Sequence, residues 1–328
     1  MKVRYVVPAL VATAGVVLLA YTFSTPSGRI SRIGWINAGP AAPNAPNVAA
    51  FKERMRELGY IEGGNYVIDF RWGDQQVARV SALIDEILAL KPDVIMATGG
   101  EPTVVPVKRA AGTTPVVFIT GDPVAEGIVG SLARPGGNMT GFAVLGQNLE
   151  AKRLEVLRQM LPGASRVAIV WNPATKNALT GRRDAEEAAA RLGIQVEWRE
   201  ARDPQELDAA LASLPQGQVD GLLVLGDPML GFEHKRIIKF ASGNRIPAVY
   251  FWREFVLDGG LASYGTSLPA TYKRAAEYVD LILKGAQPGD LPVQQPTTFE
   301  LVVNRGTARS LGITIPDSLL LRATEIIE

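Results

Sequence analysis

The chain of 328 residues repeats one series of strand and helix signals after an offset of about 130 residues. The segment SRIGWI at residues 31–36 returns as SRVAIV at residues 165–170. The run DVIMATG at residues 93–99 returns as DGLLVLG at residues 220–226. The runs at residues 93–99 and 220–226 are continuous apolar stretches of the kind found in parallel strands covered on both faces. The repeat therefore predicts two similar halves.

The order of elements within each half predicts its architecture. Each half reads β-α-β-α-β-α-β, and the alternating strands at residues 66–72 and 195–199 occupy matching places in the two series. Strands that alternate with helices form parallel sheets with right-handed crossovers. We therefore predict an α/β fold with two doubly wound lobes.

The sequence after residue 262 adds elements that must attach to one lobe or the other. Its patterns predict a helix over residues 269–284, a strand over 298–303 and an apolar helix over 318–327. The simplest arrangement returns the chain to the first lobe and then to the second, which makes a hinge of three segments. The predicted units are residues 1–29 as a signal peptide or anchor, 30–141 plus 263–292 as lobe 1, and 142–262 plus 293–328 as lobe 2.

The N-terminus has the layout of an export signal. Lys2 and Arg4 precede an uncharged apolar run at residues 5–23, and a polar breaker follows at 24–28. The run is also just long enough to cross a bilayer, so an uncleaved anchor stays open as an alternative. We predict a periplasmic or extracytoplasmic protein, either released or tethered by this segment.

Composition excludes several classes of function. The chain has no cysteine and one histidine, His234, so we expect no disulfide, no metal site and no thiol chemistry. The formal charge is +1 without a dense basic run, which argues against nucleic acid as a partner. No motif names a catalytic residue or a cofactor, and we expect neither.

The repeat also predicts where a ligand binds. Doubly wound sheets bind ligands outside the carboxyl ends of their strands, so two facing lobes would share one cleft lined by strand-end loops. Glycine and hydroxyl positions there expose N–H groups to anions, and carboxylates suit an amine. The candidate ligand-binding residues are Asn37, Thr98, Gly99, Gly100, Glu101, Asp122, Asn172, Asp227, Trp252 and Tyr264.

Other interpretations of these residues remain open at this stage. Asp122 and Asp227 each stand in a Gly-Asp-Pro turn, where an aspartate also serves as a helix cap. Trp252 and Tyr264 have the large aromatic rings that more often fill cores. His234 stands alone and is expected to be an exposed structural residue.

Several motifs, taken together, resemble those of the periplasmic substrate-binding proteins of ABC importers, in the subgroup similar to tryptophan- and tyrosine-binding proteins. The similarity runs from about Arg32 to the C-terminus. The motifs that carry it are GDPV at 121–124, SLARPGGN at 131–138, WNP at 171–173, REF at 253–255, GG at 259–260, SYG at 263–265, LPVQQPT at 291–297 and LGITIP at 311–316.

The resemblance implies a type I periplasmic-binding fold with three crossings between the lobes. It further implies a solute, an amino acid among the candidates, delivered by a monomer to an ABC permease and its ATPase, without a cofactor. One residue departs from the family pattern, because Glu101 stands where a small or hydroxyl residue is usual. A carboxylate ligand would then be opposed unless Arg253, Lys108 or Arg109 neutralises Glu101.

Two other functions are compatible with the same scaffold. One is an enzyme of the racemase or transferase type, since facing doubly wound lobes also host such activities. The other is a membrane-tethered sensor that passes its occupied state to a signalling partner.

Overall fold

The computed structural model describes residues 29–144, 149–214 and 217–328. The predicted export segment, residues 1–29, therefore lies outside the described residues except for its last position. Within the described ranges, no helix is both long and apolar enough to span a membrane.

The first lobe is built on a five-stranded parallel sheet in the order β2-β1-β3-β4-β5. Helices link its first four strands, as the alternating pattern predicts, and a loop over residues 121–138 leads from β4 to β5. The elements are β1 (Ser31–Asn37), α1 (Ala41–Glu57), β2 (Tyr66–Trp72), α2 (Val80–Ala89), β3 (Val94–Thr98), α3 (Glu101–Ala110), β4 (Val116–Thr120) and β5 (Met139–Ala143).

The second lobe is built on a seven-stranded sheet in the order β12-β11-β10-β9-β8-β6-β7. Its elements are α4 (Leu149–Met160), β6 (Arg166–Trp171), α5 (Lys176–Leu192), β7 (Gln195–Glu200), α6 (Pro204–Ala212), β8 (Gly221–Val224), α7 (Pro228–Phe232), α8 (His234–Gly243), β9 (Ala248–Tyr250), α9 (Arg253–Leu257), β10 (Ala262–Gly265), β11 (Glu300–Asn304), α11 (Arg305–Leu311), α12 (Asp317–Leu320) and β12 (Glu325–Ile327). The remaining helix, α10 (Leu268–Leu283), packs against α1 of the first lobe.

The two sheets share one winding order. The series β7-β6-β8-β9-β10 repeats the arrangement of β2-β1-β3-β4-β5, and all of these neighbours are parallel. The predicted pair of doubly wound lobes is therefore confirmed. Only β11 runs antiparallel to its neighbour β10 among the described strands.

Three chain segments join the lobes, in agreement with the predicted hinge. The chain passes from β5 to α4, from β10 to α10, and from Gln294 to β11. Before the third crossing, the Gln294 carbonyl accepts a hydrogen bond of 2.9 Å from the Ala143 amide of β5. The predicted boundary at residue 263 falls inside β10, which pairs with β9 and so belongs to the second sheet.

The predicted helix over residues 318–327 is wrong. Helix α12 ends at Leu320, and the last residues form β12, which pairs in parallel with β11. Without β12, strand β11 would leave a row of unpaired backbone groups at the sheet edge. The β-branched Ile326 and Ile327 suit a strand, so edge pairing overrides the apolar helical pattern.

Helix α10 packs against the first sheet through a cluster of aromatic rings. The Trp35 ring is stacked against Tyr272 of α10 at a centroid distance of 5.8 Å and meets Phe51 edge-on at 5.0 Å. All three rings are buried. This packing fixes Tyr272 beside the carboxyl end of β3, where Thr98 lies.

A candidate ligand-binding cleft

A cavity that is partly open to solvent lies between the carboxyl edges of the two sheets. Both lobes contribute walls, and Val144 and Thr266 contribute from two of the crossings. The cavity therefore stands where the repeat places a shared cleft.

Five of the ten predicted residues line this cavity: Gly99, Gly100, Glu101, Asp227 and Trp252. Gly99 and Gly100 adopt φ angles of 91° and 76°, which favour glycine. A Cβ atom on Gly100 would lie 2.8 Å from Cγ of Pro228 in the other lobe. The missing side chain at Gly100 therefore permits the lobes to approach closely.

Three predicted residues lie behind the lining and hold its loops. The Asn37 side-chain amide donates to Oγ1 of Thr98 at 2.9 Å, and its carbonyl oxygen accepts from the Gly39 amide at 2.7 Å. In the second lobe, Nδ2 of Asn172 donates to Asp227 at 3.2 Å. These buried hydrogen bonds orient the strand-end loops.

The last two predicted residues lie outside the lining. Asp122 is exposed, and its carboxylate accepts from the amides of Val124 and Ala125, both at 3.0 Å. The ring of Tyr264 packs against Phe299 at a centroid distance of 5.9 Å. Asp122 thus stabilises a turn and caps no helix, whereas core packing describes Tyr264.

Asp227 combines both roles that the sequence leaves open. Its Oδ1 accepts from the Leu230 amide at 3.1 Å and caps α7, while the residue also lines the cavity. Burial raises the pKa of Asp227 to about 6, against the lowering effect of the Leu230 amide and Asn172. The carboxyl group therefore titrates close to neutral pH.

Glu101 meets a partner that the sequence did not suggest. Its Oε2 accepts from the Lys176 backbone amide at 3.0 Å, across the cleft at the start of α5. Of the expected neutralising groups, Arg253 pairs with Glu325 and Lys108 donates to a backbone carbonyl. The negative charge of Glu101 thus faces the positive end of a helix dipole in the opposite lobe.

Arg153 is a cavity-lining residue that strand-end reasoning misses. The residue is 1% exposed, donates from Nε to the Tyr264 carbonyl at 2.7 Å, and pairs through Nη1 with Glu150. It occupies the buried stripe of α4 together with Leu149, Val156 and Met160. An arginine at an apolar-stripe position is the sequence signal that would have found it.

The other polar and aromatic lining residues come mostly from helices and from the crossings. A helical side chain can reach a cleft without any strand-end motif. The further lining residues include Asn44, Asn47, Thr120, Asn177, Phe232, His234, Glu254, Thr266 and Tyr272.

His234 is buried, so the expectation of an exposed histidine is wrong. The residue is 7% exposed, and its ring nitrogens lie 2.9 Å from the Gly231 carbonyl and 2.7 Å from Oδ2 of Asp258. These contacts hold the ring at the start of α8, beside the cavity. The described part of the chain contains no group of three or more histidine, aspartate and glutamate side chains placed to hold a metal ion.

The two lobes are in contact across the mouth of the cleft. Nε2 of Gln75 donates to Glu233 at 2.6 Å, and Nδ2 of Asn177 donates to Glu126. Burial raises the pKa of Glu126, while its hydrogen bonds from Thr120 and Asn177 lower it. The arrangement is a closed one.

Two solved structures share this fold. An ABC domain of Streptococcus pneumonia in complex with L-Trp matches with a TM-score of 0.83 and 22% identity, over 91% of this chain and all of the other. The ligand-free, open structure of a substrate-binding protein with adhesive properties from Clostridium difficile matches with a TM-score of 0.66 and 23% identity, over 91% and 99%.

Sequence comparison gives the family. The chain is 26% identical over 264 residues to the tyrosine-binding protein of Clostridioides difficile, covering 80% of this chain and 75% of that protein. The model of the family described as ABC transporter substrate binding protein matches residues 43–327. The chain therefore belongs to the ABC transporter substrate-binding proteins.

Proposed function

We propose that this substrate-binding protein takes an α-amino acid with an aromatic side chain into the cleft and delivers it, without chemical change, to the membrane components of its importer. The protein acts as a monomer outside the cytoplasmic membrane, exported by its N-terminal segment. The observation that carries the proposal is the lining of the cavity, which combines the buried Arg153 with the buried Asp227, the half-buried Glu254 and an aromatic wall.

The polar lining suits the two charged groups of an amino acid. Arg153 and the N–H groups that begin α3 at Gly99 and Gly100 favour a carboxylate. Asp227 and Glu254 lie on the second lobe and favour an ammonium group. Both kinds of group line one cavity, as a zwitterion requires.

The apolar lining suits an aromatic side chain. Phe232, Phe251 and Trp252 from the second lobe and Tyr272 from α10 contribute rings to the cavity. Aromatic pairs in offset or edge-on contact contribute about 0.5–1.5 kcal/mol beyond the area that they bury. The names of the tyrosine-binding relative and of the tryptophan complex point to the same ligand class.

Native mass spectrometry and calorimetry test the proposal together. Protein purified without refolding is examined for a co-purified small molecule and then titrated with L-tryptophan, L-tyrosine and L-leucine, with D-ribose as the negative control. We expect dissociation constants near 1 μM for at least one aromatic amino acid, equivalent to about −8 kcal/mol. Heat of binding from D-ribose but from no amino acid would reject the proposal, as would turnover of a bound amino acid.

A further inference from the structure

Two buried hydrogen-bond acceptors of the cavity lining have no donor among the described residues. They are Oδ1 of Asn47, on α1 of the first lobe, and Oε2 of Glu254, on α9 of the second. Asn47 is 5% exposed. Proteins rarely leave such groups without a partner, because an unmet buried acceptor is costly and a charged one more so.

No neighbouring cation donates to Glu254. Arg253 is turned to Glu325 and lies 3.8 Å from Glu300, and His234 is held by Gly231 and Asp258. Burial also raises the pKa of Glu254, although a hydrogen bond from its own backbone amide and the charges of Arg253 and His234 lower it. On this lining residue of the second lobe, Oε2 is therefore the carboxylate oxygen that has no donor among the described residues.

The first lobe presents its acceptor in a similarly prepared way. Asn47 lies on the buried stripe of α1, with Asn44, Phe51 and Met55. The Asn44 side chain is already used, since it donates to the Pro40 carbonyl at 2.7 Å. The packing of α1 thus holds Asn47 in the cavity lining, and its Oδ1 has no donor among the described residues.

We propose that a primary ammonium group of the ligand binds between Oδ1 of Asn47 and Oε2 of Glu254, and that this pair selects amines over analogues that lack the amine. The inference rests on the proposed function, because an α-amino acid supplies such a group. An ammonium group has three donors and no acceptor, which matches two unmet oxygens.

The placement of the pair on opposite lobes has a consequence for closure. A ligand shifts the open-to-closed equilibrium only through contacts that it makes better in the closed state. An ammonium group that reaches both lobes makes such a contact, whereas an analogue without the amine leaves both acceptors unmet. Loss of the amine should therefore weaken binding and closure together.

Calorimetry with matched ligands tests the inference. L-tryptophan is compared with indole-3-propionate, which lacks the amine, and with tryptamine, which lacks the carboxylate; L-tyrosine is compared in the same way with 3-(4-hydroxyphenyl)propionate and tyramine. The wild type should bind the amino acid roughly 10- to 100-fold more tightly than the analogue without the amine. In Glu254→Gln and Asn47→Leu this preference should shrink to a few-fold.

Glu187→Gln is the control variant, because Glu187 is exposed and outside the cavity. Its preference should equal that of the wild type, and thermal melts should show that all variants are folded. Equal binding of the amino acid and its analogue without the amine overturns the inference but leaves amino acid binding intact. Binding of tryptamine or tyramine alone, dependent on Glu254, supports the inference and rejects the proposed function, and binding of none of the six compounds rejects both.

Discussion

In the first lobe, β3 leads into Gly99 and Gly100, and α3 begins without a side-chain cap. At the matching place in the second lobe, β8 leads into Gly226, and Asp227 caps α7. The difference extends across the cavity. The second lobe contributes Arg153, Asp227, His234 and Glu254, while the first contributes glycines, side-chain amides and, as its one ionisable lining residue besides Tyr272, Glu101.

The contrast shows that two lobes with the same fold can contribute different kinds of residue to one binding cleft. Buried ionisable groups need partners, and the second lobe supplies them for Arg153, Asp227 and His234, whereas Oε2 of Glu254 has no donor among the described residues. The first lobe contributes close backbone approach, which needs small residues. We infer that the second lobe supplies the charged contacts to the ligand, and that the first lobe closes over it with the N–H groups of Gly99 and Gly100 and the side chain of Asn47.

The largest expected effect concerns the buried ion pair between Arg153 and Glu150 on α4 of the second lobe. Replacing Arg153 by Met should lower the free energy of unfolding by about 3–5 kcal/mol, because Glu150 would remain buried without its partner. Urea denaturation measures the loss, and Glu150→Gln in the same chain should recover part of it.

Lys152→Met is the matched control on the same helix. Its pair with Glu155 is exposed, so the loss should stay below about 1 kcal/mol. If Arg153→Met were no more harmful than this control, the claim that the second lobe depends on buried charge pairs would fail.

The next effect separates the two Gly-Asp-Pro turns by pH. Since folding raises the pKa of Asp227 from 3.8 to about 6, its contribution to stability is complete below about pH 4 and is lost as the pH rises through 6. The loss is about 3 kcal/mol. In Asp227→Asn this loss should disappear, so the variant should gain stability relative to the wild type between pH 4 and pH 7.5 in urea denaturation.

Asp122→Asn changes the corresponding turn of the first lobe, where the side chain is exposed. It controls for the loss of a carboxylate that accepts from backbone amides in general. A difference between Asp227→Asn and the wild type that stays constant from pH 4 to pH 7.5 would show that burial of Asp227 does not distinguish the lobes.

The smallest effect tests the closing role of the first lobe. A Cβ atom on Gly39 would lie 2.2 Å from the Phe232 ring of the other lobe, so Gly39→Ala should hold the lobes apart. We expect affinity for the amino acid to fall about tenfold, or 1.4 kcal/mol, with an increase in the radius of gyration by X-ray scattering. Stability of the lobes should change little.

Phe232→Ala completes a double-mutant cycle, because it removes the ring that the new methyl group would meet. The two changes should be strongly non-additive, with Gly39→Ala almost harmless in the Phe232→Ala background. Additive losses would mean that Gly39 affects the cleft in some way other than contact between the lobes.

Much of the fold could be predicted because both halves state the same pattern. The repeat predicted the two doubly wound lobes, and the elements after residue 262 predicted the three crossings. The terminal segment was mistaken for a helix because pairing of β12 with β11 is a long-range contact that periodicity does not register.

The residues of the candidate site likewise fall into some that the sequence predicted and some that it did not. Gly99, Gly100, Glu101, Asp227 and Trp252 follow strands, and the strand-end rule alone brings them to the cavity. Arg153 and Asn47 come from helices, where the packed face decides which side chain reaches the cleft. Their signal is a polar residue within an apolar stripe, visible in α4 and in α1.

The bond from Glu101 to the Lys176 amide gives this protein a built-in reporter of its own state. Helix α5 has no side-chain cap of its own, so its first turn is completed by a carboxylate from the other lobe. When the lobes separate, that amide loses its acceptor and meets water. The hydrogen-exchange rate of the Lys176 amide proton therefore reports the fraction of molecules in the closed conformation. This measurement needs no attached probe and no knowledge of the ligand.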